Sequence, residues 1–133
     1  MIRAQAMAAR IACERMTMVR LTRLHDSVER ACGLAARPRW DGKAAAHAEI
    51  FNLLADAADD PRLTESVASA RELIVAVGRA ADGMIISSRR RLLSHLHAGD
   101  GEGADAEMEN HLRALLYMRR LALPSGTGLR AEQ

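Results

Sequence analysis

The run Leu96-His97-Ala98-Gly99-Asp100-Gly101-Glu102-Gly103-Ala104-Asp105-Ala106-Glu107-Met108-Glu109-Asn110-His111-Leu112 passes from a helix breaker straight into a helical register. Apolar or small residues at 104, 108, 112, 115 and 116 recur on one helix face. A helix therefore begins near Ala104–Asp105, just after the glycine-rich break. His111 falls on or beside its inward stripe, with Met108, Leu112 and Leu115. A titratable imidazole turned into a helical interior is either a buried hydrogen-bonding residue or part of a ligand pocket.

The remaining sequence repeats the helical pattern. Hydrophobic residues make up 49% of the 133, yet Trp40, Phe51 and Tyr117 are the only aromatics. The apolar content is Ala, Leu, Met and Ile, which favour helices over strands. No strand-like alternation occurs, and Pro38, Pro61 and Pro124 fall at element boundaries. Helices are expected over about 3–15 and about 18–33. The second is capped by Thr17, ended by Gly33, and carries Val19, Leu21, Leu24, Val28 and Cys32 inward. After a loop over 34–40, Asp41 caps a third helix to Ala58, with Ala44, His47, Ile50, Phe51 and Leu54 on one face. Asp60-Pro61 is a helix-start signature for a fourth helix bearing Leu63, Val67, Ala70, Leu73, Ile74 and Val77. Gly78 to Gly83 break it, and a fifth helix passes through Leu92, Leu93 and Leu96 to Gly99. The expectation is an all-α domain over 1–123, an antiparallel bundle of about six helices, followed by a disordered tail over 124–133.

Several function classes drop out. The formal net charge of +2 and the brevity of Arg89-Arg90-Arg91 give no electrostatic footprint for nucleic acid. Cys13 and Cys32 lack CxxC or Cys/His spacing and read as free thiols in a reducing compartment. No apolar run has the length of a membrane span, and the start lacks a signal-peptide core, so a cytoplasmic protein is expected. The acidic residues between Gly99 and Gly103 suit a turn and helix cap better than a calcium loop. His95 and His97 lie on opposite sides of the fifth helix, and His25 belongs at the surface or a dimer interface. No phosphate loop or nucleophile–base–acid grouping is present, and no enzyme is expected.

With the helices placed, a resemblance emerges. Ala8-Ala9-Arg10-Ile11-Ala12-Cys13-Glu14-Arg15 resembles the opening helix of the FCD (FadR C-terminal) effector domain of GntR-type transcriptional regulators. Phe51-Asn52-Leu53-Leu54-Ala55-Asp56-Ala57-Ala58-Asp59-Asp60-Pro61-Arg62-Leu63 resembles the family's motif around its first histidine. The segment from Leu92 through Gly99-Asp100, Ala104, Met108 and His111-Leu112 is similar in spacing to its second motif. The resemblance implies a homodimeric helical bundle that binds a small carboxylate-type metabolite, in many members through a divalent metal on one Asp and three His. By position, His47 stands for the Asp, Phe51 for the first His and Arg89 for the second, while His111 is retained. Phe cannot coordinate a metal and Arg repels one, so the ligand set for zinc or a similar ion is degenerate and none is expected. If a metal does bind, His47 and His111 are its candidates. Direct pairing of a small organic acid with Arg89 can replace the metal, with His47 and His111 as donors and Phe51 as an apolar wall. The resemblance implies the effector-sensing half of a regulator, contacting DNA only through a winged-helix domain not found here, so the chain reads as a fragment or a stand-alone homologue. A degenerate dimerisation or interaction module without ligand, and a helical metal-binding domain, are the alternatives.

Overall fold

The computed structural model describes residues 1–33 and 39–126. Six α-helices follow in order: α1 (Ile2–Glu14), α2 (Met18–Gly33), α3 (Trp40–Ala58), α4 (Thr64–Val77), α5 (Asp82–Ala98) and α6 (Gly101–Gly126). Short 3-10 turns at Pro61–Leu63 and Arg79–Ala81 lead into α4 and α5, and no strand occurs among the described residues. The protein is an all-α bundle, as its composition requires.

Local chemistry sets most of the boundaries. Thr17 Oγ1 accepts from the Arg20 amide at 3.1 Å, capping α2. Asp60 Oδ1 accepts from the Arg62 amide at 3.0 Å, with Pro61 in the first helical position. Gly99 (φ 71°) turns left-handed to stop α5, a conformation glycine adopts without a Cβ penalty. Asp100 Oδ1 then accepts from the Gly103 amide at 2.9 Å, so α6 starts at Gly101, three residues before the predicted Ala104. Apolar periodicity could not see that first turn, which is capped but carries no inward side chain before Ala104.

Other boundaries also differ from expectation. Trp40 opens α3 and Asp41 lies within the first turn, where its charge meets the positive helix end without capping it. Gly78 (φ 78°) ends α4, but α5 already begins at Asp82, so Gly83 is a helical residue. Val19, expected inward, is 63% exposed, because the buried face of α2 runs through Leu24, Ser27, Val28 and Ala31. Helix α6 continues past Pro124 to Gly126; a proline late in a long helix deletes one N–H donor from turns already formed. The predicted loop positions 34–38 and tail positions 127–133 lie outside the described residues.

Helix α1 packs most extensively on α6 and also on α3. Its buried residues are Gln5, Ala6, Ala8, Ala9, Ala12 and Cys13, and the four alanines let neighbouring backbones approach closely. Around it, Ile50, Phe51, Leu54, Leu73, Ile74, Ile85, Leu92, Met108, Leu112 and Leu115 form one continuous core. A charged clamp closes the α1–α6 seam. Arg3 Nη1 reaches Asp105 Oδ1 at 3.0 Å and Arg10 Nε reaches Asp105 Oδ2 at 3.1 Å. Their hydrogen bonds, Arg3 first, hold the Asp105 carboxyl below its ordinary range. A carboxyl depressed in the folded state adds stability above its unfolded pKa and loses it as pH falls through the folded value. Asp105→Asn is expected to cost about 1–2 kcal/mol at neutral pH in urea unfolding. The deficit relative to wild type should shrink as the pH is lowered toward 3.

Candidate functional site

His47, Phe51, Arg89 and His111 come from three helices and all turn inward. Phe51 is wholly buried, and the other three are at most 3% exposed. Helical spacing accounts for each. His47 and Phe51 share one face of α3, Arg89 follows Ile85 and precedes Leu92 on the buried face of α5, and His111 follows Met108 on α6. Of the arginine triplet, only the first faces inward: the Arg90 and Arg91 side chains are 54% and 58% exposed.

Arg89 crosses the core to α3. Its Nη2 donates to the His47 carbonyl at 3.1 Å, and its Cζ lies 5.1 Å from the Phe51 ring centroid. Phe51 is thus more than an apolar wall, since its ring face carries the negative quadrupole that attracts a guanidinium. Among the described residues, neither Nε nor Nη1 of Arg89 has a hydrogen-bond partner. Glu107 exerts an opposing pull on it, but that carboxylate accepts from Ser88 Oγ at 2.9 Å and Arg91 Nε at 2.8 Å. Burial pulls the Arg89 guanidinium down to about 9, which still leaves it cationic at neutral pH. A buried cation without a bonded anion is costly to maintain.

His111 completes the polar surround. Both of its ring nitrogens lack a hydrogen-bond partner among the described residues. Burial first, and then the charges of Arg89, His47 and Arg91, push the imidazole down to about 2, so it stays neutral. A neutral imidazole has one donor and one acceptor, and here both are unsatisfied.

Sequence reasoning did not anticipate the third part of the site. Asp82, in the first turn of α5, bridges two basic groups of α3: Oδ1 lies 2.7 Å from His47 Nε2 and Oδ2 accepts from Lys43 Nζ at 2.8 Å. Lys43, the only lysine of the chain, is completely buried. Burial alone would raise the Asp82 carboxyl, but the bonds from Lys43 and His47 outweigh it and hold the carboxyl low. Burial also lowers His47, against the opposing pull of Asp82. His47 Nδ1 has no partner, and the Trp40 ring stands 5.9 Å from the imidazole at a 48° tilt. Lys43 was legible in principle, since 43, 47 and 51 share one helix face. Asp82 was hidden in a segment read as a glycine-rich break.

Chemically, the cluster offers donors and a net positive charge. Lys43 and Asp82 neutralise each other, while Arg89 is uncompensated. Among the described residues no group of three or more His, Cys, Asp and Glu side chains is arranged to hold a metal. The remaining histidines stand apart: His95 Nδ1 lies 3.1 Å from Asp100 Oδ2, while His25 and His97 line a surface groove between α2 and α5 with Leu21 and Arg90. No described helix is long and apolar enough to cross a membrane. No known protein-family profile matches the chain, and neither a curated protein nor a solved structure was found similar to it.

Two consequences follow for stability. In the unfolded chain His111 titrates near its ordinary value of about 6.5, whereas in the fold it resists protonation. A histidine lowered by folding contributes fully above the unfolded pKa, and that contribution fades as the pH drops below it. Replacing His111 with Leu is expected to flatten the stability profile between pH 6 and 4 by about 1.4 kcal/mol per pH unit, read from urea midpoints. Asp82→Ala strands the Lys43 ammonium in the core and should cost about 3 kcal/mol at pH 7. Adding Lys43→Met to that variant should recover most of the loss.

Proposed function

We propose that this domain is a sensor that binds a small organic acid within its helical core, as the effector half of a GntR-type regulator does. The observation carrying this reading is Arg89: a fully buried guanidinium whose Nε and Nη1 have no protein partner, beside a neutral His111 with both nitrogens unpaired. Among the described residues, five of the six buried side-chain polar atoms lacking a partner belong to His47, Arg89 and His111; the other is Gln5 Oε1. Buried polar groups are nearly always satisfied, and native exceptions concentrate where a ligand or ordered solvent supplies the partner. A carboxylate seated at the free edge of the guanidinium would satisfy two N–H donors at once in the fork geometry arginine favours.

The convergence of positions 47, 51, 89 and 111, far apart in the chain, supports the resemblance to the FCD fold. The ligand set itself supports a metal-independent variant, in which a fixed cation takes the role a metal ion plays elsewhere. Because the cluster is shielded from solvent, ligand access requires the bundle to open locally. Binding would then favour one of two packings of the helices, and so the geometry of a homodimer and of any attached DNA-binding domain. One observation favours the second reading, a dimerisation or interaction module without a ligand: Phe51, Leu92, Met108 and Leu112 fill the core beside the polar cluster to near-complete burial.

Calorimetric titration and thermal unfolding with a panel of organic acids separate the readings. A sensor gains stability with the logarithm of ligand concentration, by about 2.7 kcal/mol at a hundredfold excess over Kd. Arg89→Ala should abolish the response to every acid that shifts wild type. Acids that act equally on both proteins, or on neither, would leave only the module reading.

A further inference from the structure

Helix α6 is divided by charge along its length. Glu102, Asp105, Glu107 and Glu109 lie in its first part, and from Asn110 to Gly126 there is no acidic residue. That second stretch carries Arg113, Arg119 and Arg120. We infer that this end of α6 docks on an anionic lipid surface, the domain lying against the membrane face without crossing it. The surface is separate from the buried cluster around Arg89.

The carboxylates of the first part are mostly spent inside the fold. Glu102 stands in the first turn, at the far end of the helix. Asp105 holds Arg3 and Arg10, Glu109 holds Arg3 and Arg113, and Glu107 holds Ser88 and Arg91. Arg119 and Arg120 are exposed and, among the described residues, make no ion pair. Along this edge Arg3, Arg10, Arg113, Arg119 and Arg120 thus share Asp105 and Glu109, an excess of three positive charges. The whole chain has a formal net charge of +2, so the positive field is gathered here.

Charge alone would suit any polyanion; the apolar side chains narrow the class. Glu109, Arg113, Tyr117 and Leu121 follow at four-residue intervals and form one row on the helix surface. Tyr117 and Leu121 are 62% and 63% exposed, while Leu112 and Leu115 on the opposite side fill the core. Helix α1 runs antiparallel to α6, with Arg10 against Gly101 and Arg3 at Asp105 and Glu109. It begins at Ile2, so Tyr117, about 12 Å beyond Glu109 along the axis, lies past its start. A tyrosine and a leucine projecting among arginines match the chemistry of a bilayer interface. The guanidinium groups reach phosphate oxygens, the tyrosine ring rests at headgroup depth and the leucine enters the acyl boundary. Both side chains stand out from a convex helix, and a fluid surface receives them without a matching pocket. Met18 and Val19 at the start of α2 are equally exposed, but Glu14 and Asp26 bracket them, and they lie toward the Gly101 end of α6.

Cosedimentation of the 133-residue chain with vesicles tests the assignment. Phosphatidylcholine and phosphatidylglycerol in equal parts should bind it at least about tenfold more tightly than phosphatidylcholine alone, and high salt should remove the difference. Arg119→Ser combined with Arg120→Ser should weaken binding about thirtyfold, about fivefold for each arginine lost at an anionic surface. Tyr117→Ser combined with Leu121→Ser should weaken it about tenfold or more, with thermal unfolding unchanged because neither side chain is in the core. Met18→Ser combined with Val19→Ser should bind as wild type does. Binding that follows the arginines and salt but ignores Tyr117 and Leu121 overturns the assignment in favour of general polyanion adsorption. Equal binding to both vesicle types, loss of binding through the Met18 and Val19 variant, or no binding at all overturns it as well. If no vesicle is bound and the Tyr117 and Leu121 variant lowers the mass of the free chain at sedimentation equilibrium, the face belongs to a second copy and the lipid assignment is wrong.

Discussion

The site is organised around a guanidinium kept in the core without an anion bonded to it. Arg89 reaches from α5 across the bundle to the backbone of α3, rests on the Phe51 ring, and keeps Nε and Nη1 unpaired. Its field helps hold His111 neutral and lowers His47, so the protonation states of the polar cluster are set jointly by burial and by this one charge. Electrostatics of this kind have little to gain from the fold alone. A hydrophobic side chain of similar volume would avoid the desolvation cost altogether.

The surrounding structure shows what such an arrangement requires. The alanine face of α1 allows α6 and α3 to close tightly over the core, and the Arg3–Asp105–Arg10 clamp fixes the outer seam. Lys43 and Asp82 tie α3 to the first turn of α5, holding His47 by its Nε2 edge and leaving Nδ1 free. The scaffold is thus bonded at its margins and unsatisfied at its centre. Functional sites commonly have this distribution, with local deficits maintained by the stability of the rest.

Much of this was legible in the sequence because helical periodicity is a strong signal. It placed His47, Phe51 and His111 on buried faces from spacing alone, whereas Arg89 was singled out from Arg90 and Arg91 only by the resemblance, and its burial emerged from the structure. Two kinds of information escaped. Pairings between elements, such as Lys43 with Asp82 or Arg3 and Arg10 with Asp105, depend on how helices are apposed, and no local pattern encodes that. First turns without an apolar inward side chain carry no hydrophobic rhythm: α6 begins at Gly101 under the Asp100 cap, and α5 begins at Asp82, ahead of Ile85. The functional proposal draws on residue order and spacing in the sequence and on the burial of His47, Phe51, Arg89 and His111.

The central claim is that Arg89 is retained for a partner from outside the chain and not for the stability of the fold. Urea unfolding of Arg89→Met at pH 7, without any organic acid present, tests it directly. If the claim holds, the free domain keeps its stability or gains up to about 4 kcal/mol, since an unpaired buried charge has been exchanged for an apolar side chain of similar length. A loss of more than about 2 kcal/mol would show that the bond to the His47 carbonyl and the contact with Phe51 are structural ties, and would contradict the account.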